Sequence, residues 1–199
     1  ETPSQGSDCC IEGPVFSVSP DQQKIALITL DPELVDPNNK ISSENYATAI
    51  HVYDVNNSVS KSLGSGAKAV WSPNSQQIAF LRDGGLWVAN VETGESIEYV
   101  KPELDTGIRV AYYTWSPDST KLSFLYAAGS YNWLPSIWVV NLEDGSEPKA
   151  ILSRDNSEFG VSILAPTWSP DGTSIYYLSS ENEDYSSFRY QNLWKVSVE

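Results

Sequence analysis

Four segments of this chain repeat one pattern, and that pattern constrains the fold more than any other feature of the sequence. In each segment a short apolar stretch ends in Ser-Pro, a polar turn follows, and a second apolar stretch begins. The four copies read VFSVSPDQQKIALI, AVWSPNSQQIAFL, YTWSPDSTKLSFL and PTWSPDGTSIYYL. Their prolines, which are Pro20, Pro73, Pro117 and Pro170, are 53, 44 and 53 residues apart. This period is typical of one four-stranded sheet per repeat.

Each copy also contains a later stretch with a common pattern of apolar residues, which predicts a further strand; the four stretches are IHVYDV, LWVANV, IWVVNL and LWKVSV. Polar turns with glycine follow the second and third of these, and the stretches SIEYV and PKAIL then predict a fourth strand. We label the strands of a repeat A, B, C and D. Alternating apolar residues between turns rich in Gly, Pro, Asp, Asn and Ser predict an all-β chain of four-stranded antiparallel blades, a β-propeller.

The repeat places four blades along the chain, of which the last lacks its outer strand. The predicted bounds are about 15–64, 67–100, 108–152 and 163–199. The polar leader, residues 1–10, contains Pro and Gly and is a poor candidate for the missing strand. Four blades can close a ring, but an open arc and pairing with another copy remain alternatives, since an unfinished blade leaves an exposed edge. We expect residues 11–199 to be a propeller segment of a longer protein.

The residues of the repeat have structural explanations. Proline presets the turn, and the Asp or Asn beside it bonds back to the backbone, which makes Asp21, Asn74, Asp118 and Asp171 predicted turn formers. Six of the seven tryptophans occupy repeated positions, whereas the first repeat has Val18 and His51 there. These six are Trp71, Trp115 and Trp168 before Ser-Pro, and Trp87, Trp138 and Trp194 on strand C. Recurrence favours packing between blades over an aromatic stripe that stacks on carbohydrate.

The turns Trp-Ser-Pro-Asp followed by IYYL or LSFL, with LWVANVETGE and IWVVNLEDGS, resemble the bacterial TolB-type propeller repeat, a relative of WD-repeat blades. The resemblance extends from Val15 to Val198. It implies a periplasmic or extracellular protein. The same repeat occurs in periplasmic scaffold proteins and in the N-terminal propellers of prolyl-oligopeptidase-like enzymes, so it predicts the fold but does not choose between those functions.

The charge balance excludes some partners. The chain has 12 basic and 26 acidic residues, for a formal net charge of −14. Such a surface repels phosphate, which argues against nucleic acid and anionic lipid as partners. We interpret it as a surface that confers solubility rather than as a patch for a cationic partner. No stretch approaches the roughly 20 apolar residues of a membrane span, so the sequence predicts no direct membrane insertion.

The residues also predict no catalysis, cofactor or metal within this chain. His51 is the only histidine, and its strand position favours a packing role over general-base work. Cys9 and Cys10 are adjacent, and a disulfide between neighbouring residues is strained. No phosphate-binding loop, no Gly-x-Ser-x-Gly elbow and no calcium-loop spacing is present. Acidic clusters at 31–36 and 181–184 therefore indicate solvated loops.

Function is expected in the connections that interrupt the repeat. The B-to-C links are predicted to lie at one face of the propeller, which we call the rim. Three of them are enlarged, namely 31–47, 127–136 and 179–191. Aromatic side chains and an arginine are typical of recognition hot spots. The predicted partner-binding residues are Tyr46, Tyr131, Trp133, Tyr185, Phe188, Arg189 and Tyr190. The alternative is that these side chains cover the tops of their own blades.

Two functions therefore remain open at this point. The first is a noncatalytic module that binds a protein or peptide at its rim. The second is the regulatory or gating propeller of a prolyl-oligopeptidase-like peptidase whose catalytic domain lies outside this chain. Binding of sugar by the exposed aromatic residues is a weaker third hypothesis.

Overall fold

The computed structural model of the protein describes residues 16–30, 48–102, 108–128, 132–133, 136–153, 162–180 and 192–198. Within these ranges the secondary structure consists of strands and turns, without a helix. Blade 1 consists of β1 Phe16–Val18, β2 Lys24–Leu30, β3 Thr48–Asp54 and β4 Val59–Ser65, and blade 2 consists of β5 Ala67–Trp71, β6 Gln77–Arg82, β7 Gly85–Asn90 and β8 Ser96–Val100. Blade 3 consists of β9 Ile108–Trp115, β10 Lys121–Ala128, β11 Asn132–Trp133, β12 Ser136–Asn141 and β13 Lys149–Ser153. The described strands of blade 4 are β14 Ser162–Trp168, β15 Ser174–Ser180 and β16 Asn192–Ser197.

Each group of strands forms one antiparallel sheet. Blades 1 and 2 have the orders β1-β2-β3-β4 and β5-β6-β7-β8. In blade 3, β10 lies between β9 and β12, and β13 is outermost, while the described part of blade 4 has the order β14-β15-β16. The predicted all-β propeller of four blades, with three strands in the last, is confirmed for the described residues. The predicted leader at 1–10 lies outside them.

One predicted loop contains a strand. The connection at 127–136 was expected to be an enlarged B-to-C link that interrupts the repeat. Instead β10 continues to Ala128, and a short β11 pairs Trp133 with Ala127 and Asn132 with Ala128. The reason is that β9 supports β10 on its other side beyond the end of β12. Backbone groups that β12 leaves open then pair with β11.

The Ser-Pro segments all fold as the same hydrogen-bonded turn, shown by blade 3. Ser119 N donates to Ser116 O at 3.0 Å. The Ser116 hydroxyl donates to Asp118 Oδ1 at 2.6 Å and accepts from Lys121 N at 2.9 Å. Thr120 N donates to the same carboxylate oxygen at 3.0 Å. The other three turns repeat the serine and Asx bonds, which confirms the turn-forming role predicted for Asp21, Asn74, Asp118 and Asp171.

The residue after each Asp or Asn has a left-handed backbone. The φ angles are 63° at Gln22, 62° at Ser75, 64° at Ser119 and 71° at Gly172. This conformation costs energy for a residue with a Cβ. Ser75 and Ser119 offset that cost by linking blades, because Ser75 Oγ accepts from Asp21 N at 3.0 Å and Ser119 Oγ accepts from Asn74 N at 3.1 Å. Gly172 has no hydroxyl with which to repeat the link.

The tryptophan before each Ser-Pro reaches back to the preceding blade. Its indole nitrogen donates to a strand-A carbonyl of that blade, from Trp71 to Ser17 O at 3.1 Å, from Trp115 to Val70 O at 3.1 Å and from Trp168 to Thr114 O at 3.2 Å. All three indoles are at most 7% exposed. The predicted packing of these tryptophans between blades is therefore confirmed, and a directional hydrogen bond accompanies it.

Between the blades lie three apolar clusters, each built from two opposed sheet faces. We call the side of a blade that packs on the following blade its forward face, and the opposite side its rear face. The forward faces consist of Ala26, Ile28, Ile50 and Val52 in blade 1, Ala79, Leu81, Leu86 and Val88 in blade 2, and Ser123, Leu125, Ile137 and Val139 in blade 3. Rear faces add the strand-A tryptophan and larger side chains such as Phe80 and Phe124.

The strand-C tryptophans differ in exposure, and the packing predicted for Trp194 is wrong in part. Trp87 and Trp138 are half-buried and pack on their clusters, whereas Trp194 is 38% exposed. In blades 2 and 3 a strand D lies beside strand C at the outer edge of the sheet, whereas β16 is itself the outermost described strand of blade 4. Less of the indole is therefore removed from water.

Candidate functional site

The strand ends that border the three enlarged links all lie on the same side of the blades. Strands β2, β10 and β15 all run toward this side, and their antiparallel partners β3, β12 and β16 return from it. The Ser-Pro turns lie at the opposite ends of the same strands. The described strand ends that border the three enlarged links therefore lie together on the rim, while residues 31–47, 129–131, 134–135 and 181–191 themselves lie outside the described residues.

The described residues include the backbone of one predicted binding residue. Trp133 pairs with Ala127 through β11, so its backbone belongs to the edge of blade 3 at the rim. The other six, Tyr46, Tyr131, Tyr185, Phe188, Arg189 and Tyr190, lie outside the described residues. Their role in binding therefore stays a prediction.

Blade 2 carries an arginine on aromatic rings at the rim. The guanidinium carbon of Arg82 lies 4.9 Å from the ring centre of Phe80 and 4.8 Å from that of Trp87. Burial lowers the pKa of Arg82, and the neighbouring Asp83 acts in the opposite direction. An arginine nevertheless stays charged in proteins. This cation is held by rings and carbonyl groups rather than by a carboxylate in the described contacts.

The same arginine joins blade 2 to blade 1. Its Nε donates to Ser65 O at 2.8 Å, and its Nη2 donates to Leu63 O at 2.9 Å. Both carbonyls belong to β4, the outer strand of blade 1. Gly64 lies between them with φ of 85°, and a Cβ there would stand 3.2 Å from Arg82 Nη2. The backbone of β4 thus approaches the guanidinium closely enough to favour glycine.

Blade 3 has a tyrosine where blade 2 has the arginine. The Tyr126 ring meets Phe124 edge-on at 5.1 Å and Trp138 at 5.5 Å between ring centres. Trp138 Nε1 donates to Ser136 Oγ at 3.0 Å. Blade 2 has Gly85 at that position, and Trp87 Nε1 is buried without a hydrogen-bond partner. In both blades a side chain of strand B thus packs on a phenylalanine and on the strand-C tryptophan, but that side chain is a cation in blade 2 and a neutral aromatic ring in blade 3.

The position of Arg82 and Tyr126 lies at or near the end of strand B in every blade, and its occupant varies. Blade 1 has Thr29 and blade 4 has Ser179, whose hydroxyl is buried without a partner. Sequence reasoning did not find this position because its four residue types are polar but share neither size nor charge. The available signal was its place, one residue after an apolar residue that recurs in strand B of every blade.

The face with the Ser-Pro turns has an open polar groove of about 440 Å³ between blades 1 and 2. Lys24 Nζ of blade 1 lies 3.2 Å from Glu92 Oε1 of blade 2. Lys61 also donates to the backbone carbonyl of Glu92. Asp21 and Asn74 in its wall are already engaged in turn bonds. The groove is therefore a hydrogen-bonded boundary between two blades, and its polar groups are largely occupied.

Neither face presents a metal centre in the part of the chain that the structure describes, where no three His, Cys, Asp or Glu residues are grouped for a metal ion. His51 is half-buried in β3, opposite Leu27 and Ser62, as expected for a strand residue. In the same described residues, no helix has the length and apolar character needed to cross a membrane.

Comparison with known proteins decides the family. The sequence pattern of the dipeptidyl peptidase IV (DPP IV) N-terminal region matches residues 19–131, which include the described strands β2 to β10 and the Ser-Pro turns of blades 2 and 3. The chain belongs to this family. Among curated proteins, no sequence matches it.

Solved structures show the same fold as this DPP IV N-terminal region. Dipeptidyl peptidase 4 of Porphyromonas gingivalis is 15% identical with a TM-score of 0.63, over 82% of this chain and 28% of that one. The propeller domain of the Trilobed protease of Pyrococcus furiosus is 20% identical with a TM-score of 0.60, over 93% and 55%.

TolB of Acinetobacter baumannii is 17% identical with a TM-score of 0.55, over 89% of this chain and 39% of that one. The predicted resemblance to TolB-type propellers is thus confirmed for the fold, whereas the family is that of the DPP IV N-terminal region. This chain spans less than two thirds of the length of each of these three proteins.

Proposed function

We propose that this chain is a noncatalytic propeller module that binds peptides at its rim for a peptidase-type protein. The observation that carries the proposal is the match to the DPP IV N-terminal region over residues 19–131. The similar structures include a dipeptidyl peptidase and a protease propeller, both of which belong to proteins that act on peptides. In this proposal the hydrolytic groups lie outside the chain, and the module selects what reaches them.

The rim supplies the chemistry for peptide binding. Its enlarged links bring aromatic side chains and an arginine, which offer large rigid contact area and a planar set of donors. The end of blade 2 adds the charged Arg82 stack, and the end of blade 3 adds the aromatic Tyr126 stack. Link 31–47 has four acidic residues and one basic residue, and link 181–191 has three and one. Solubility accounts for the net charge of the whole chain, but the acidic excess of these two links is local, and we therefore propose cationic peptides as the preferred class.

The test uses two fluorescein-labelled peptides of equal length, one with lysines and one with glutamates at the same positions. Fluorescence anisotropy should detect binding of the lysine peptide to the chain, and added salt should weaken it because charge attraction is screened. Stronger binding of the glutamate peptide would contradict the proposed charge preference. Binding of neither peptide would contradict the proposed function.

A double substitution locates the binding surface. W133A together with Y190A should weaken binding of the lysine peptide by at least about tenfold, since aromatic anchors dominate such surfaces, and should leave the melting temperature within a few degrees. V59A is the control, because Val59 lies exposed on the outer strand β4. Unchanged binding with a large loss of stability would mean that the aromatic residues only cover their blades.

A stand-alone binding module is the second candidate, since the fold is shared with a TolB protein. The gene distinguishes the two, because a catalytic hydrolase segment after these residues supports the peptidase module and its absence supports the stand-alone one. For both candidates we propose a location in the periplasm or outside the cell, as the TolB-type resemblance implies. Cell fractionation with an antibody against the chain tests that location.

A further inference from the structure

The turn between strands C and D is built alike in blades 1 and 2. In blade 1, Asp54 Oδ1 accepts from Asn56 N at 2.9 Å and from Asn57 N at 3.0 Å. In blade 2, Asn90 Oδ1 accepts from the two corresponding backbone N–H groups at the same distances. The two turns can therefore be compared position by position.

The position of Asn56 is exposed in every blade where the structure describes this turn. Asn56 itself is exposed, and so are Glu92 of blade 2 and Glu143 of blade 3 at the same position. Blade 2 has a blade on each side, so a neighbouring blade does not cover this position. The turn lies at the Ser-Pro end of the blades, because strand C runs from the rim to that end. Asn56 is therefore accessible to another macromolecule and lies away from the rim.

Residue 58 of the same turn is serine where the repeat has glycine. Gly94 and Gly145 occupy this position with φ of 80° and 64°, and Ser58 has φ of 55°. A left-handed backbone costs energy in a residue with a Cβ. Ser75 and Ser119 offset that cost by linking blades, but the Ser58 hydroxyl has no hydrogen bond in the described contacts. The contacts of the turn therefore give no reason for serine in place of glycine.

The serine completes an Asn-x-Ser sequence that begins at Asn56. This is the acceptor sequence for N-linked oligosaccharides, and it functions on surface turns of exported proteins. The other eleven asparagines of the chain lack Ser or Thr two positions later. Asn57 Nδ2 donates to Asp54 Oδ2 at 3.0 Å, whereas Asn56 Nδ2 has no hydrogen bond in the described contacts. Of the two neighbouring asparagines, the one with the free side-chain amide is thus the one in the acceptor sequence.

We propose that Asn56 is an acceptor site for an N-linked oligosaccharide. In the transfer, Asn56 Nδ2 bonds to C1 of the first sugar of a lipid-linked oligosaccharide, and the bond from C1 to the lipid diphosphate breaks. The lipid diphosphate leaves with the bonding electrons, and a base of the transferring enzyme takes the amide proton. This modification is separate from peptide binding at the rim, and it rests on the proposed location in the periplasm or outside the cell.

Incubation of the purified chain with an oligosaccharyltransferase and a lipid-linked oligosaccharide of known mass tests the site without regard to cellular location or peptide binding. The intact mass should rise by one oligosaccharide, and peptide mapping should place it on Asn56. N56Q and S58A should abolish the rise. N57Q is the matched control, because it removes the neighbouring amide but keeps both Asn56 and Ser58, and it should be modified like the wild type.

S58G separates the acceptor sequence from the shape of the turn. It restores the glycine of blades 2 and 3, so the turn should form at least as well, with a melting temperature no lower than that of the wild type. The modification should nevertheless be lost, because the hydroxyl is gone. A wild-type chain of unchanged mass, a modified S58G chain or an oligosaccharide on another residue would overturn the proposal. Circular dichroism should show that all variants keep the wild-type fold.

Discussion

At the scale of single residues, the neutral Asn74 and the charged Asp118 form the same hydrogen-bonded turn in blades 2 and 3. Each accepts a serine hydroxyl and a backbone N–H through one side-chain oxygen. The hydroxyl of Ser116 is the largest cause that lowers the pKa of Asp118 from 3.8 to about 2, and Ser169 does the same for Asp171, also to about 2. The ionised carboxylate is therefore favoured in the folded chain.

The sign of the pH effect follows from the lowered pKa. Such carboxylates stabilise the fold above the unfolded pKa of 3.8, and that stabilisation is lost as pH falls from about 4 toward 2. We expect D118N to reduce the loss of stability over this range, because asparagine makes the same bonds at position 74. N74D is the reciprocal variant and should enlarge the loss. Urea unfolding at several pH values measures both, and identical pH profiles for the two variants would contradict this account.

Gly172 is the one Ser-Pro turn residue that could gain a link between blades. Its φ of 71° is close to that of Ser75 and Ser119, and a Cβ there would meet only Pro117 Cδ, at 3.8 Å. G172S should therefore repeat the bond to the backbone N–H of Asp118, while G172A adds the same strain without the bond. We expect G172S to be more stable than G172A by about 0.5–1.5 kcal/mol in urea unfolding. Equal stability of the two would show that the bond does not form.

The indole bonds allow a matched pair of substitutions. W168F removes a buried donor and leaves Thr114 O without it, so we expect a loss of roughly 1–3 kcal/mol in unfolding free energy. W194F changes an indole that is 38% exposed and should cost less than about 1 kcal/mol. Chemical denaturation compares the two variants. A larger loss for W194F would contradict the different roles assigned to the two tryptophans.

At the scale of strands and turns, Arg82 joins two blades in a way that lysine cannot reproduce. Its flat guanidinium stacks on Phe80 and Trp87 and donates to two carbonyls of β4. We expect R82K to lower the free energy of unfolding by roughly 1–2 kcal/mol, because the ammonium is a point charge that does not stack. K101R, at an exposed site, is the control and should be neutral. Equal stability of R82K and wild type would contradict the bridging role.

Sequence alone predicted the elements whose residues repeat. The Ser-Pro turns, the strand-A tryptophans and the four blades all follow from residue types that recur at fixed positions. Arg82 and Tyr126 were missed because the four blades have Thr, Arg, Tyr and Ser at this position, so no single residue type recurs there. The pairing of β11 was missed because it depends on where β12 ends relative to β9, a relation between strands distant in sequence.

At the scale of the whole molecule, the four blades differ in how many neighbours they have. Blades 2 and 3 bury both sheet faces, whereas blades 1 and 4 bury one each. In repeat proteins, stability is approximately the sum of each unit and its interfaces. The end blades should therefore open at lower free energy than the middle ones.

Hydrogen exchange measures this difference directly. We expect the amides of β6, β7, β10 and β12 to exchange slowest, and those of β1 and β16 fastest. Uniform protection across the four blades would show that the chain unfolds as one cooperative unit.

The indole hydrogen bonds between blades all point in the same direction along the chain. Every donor sits in the later blade and every acceptor in the earlier one. Truncation before residue 67 would remove the blade 1 half of the cluster and expose the Trp71 indole with its N–H, while truncation after residue 153 would remove the donor Trp168 and leave the Thr114 carbonyl open to water. Loss of the first blade therefore uncovers a large aromatic side chain, whereas loss of the last uncovers the carbonyl that it had bonded.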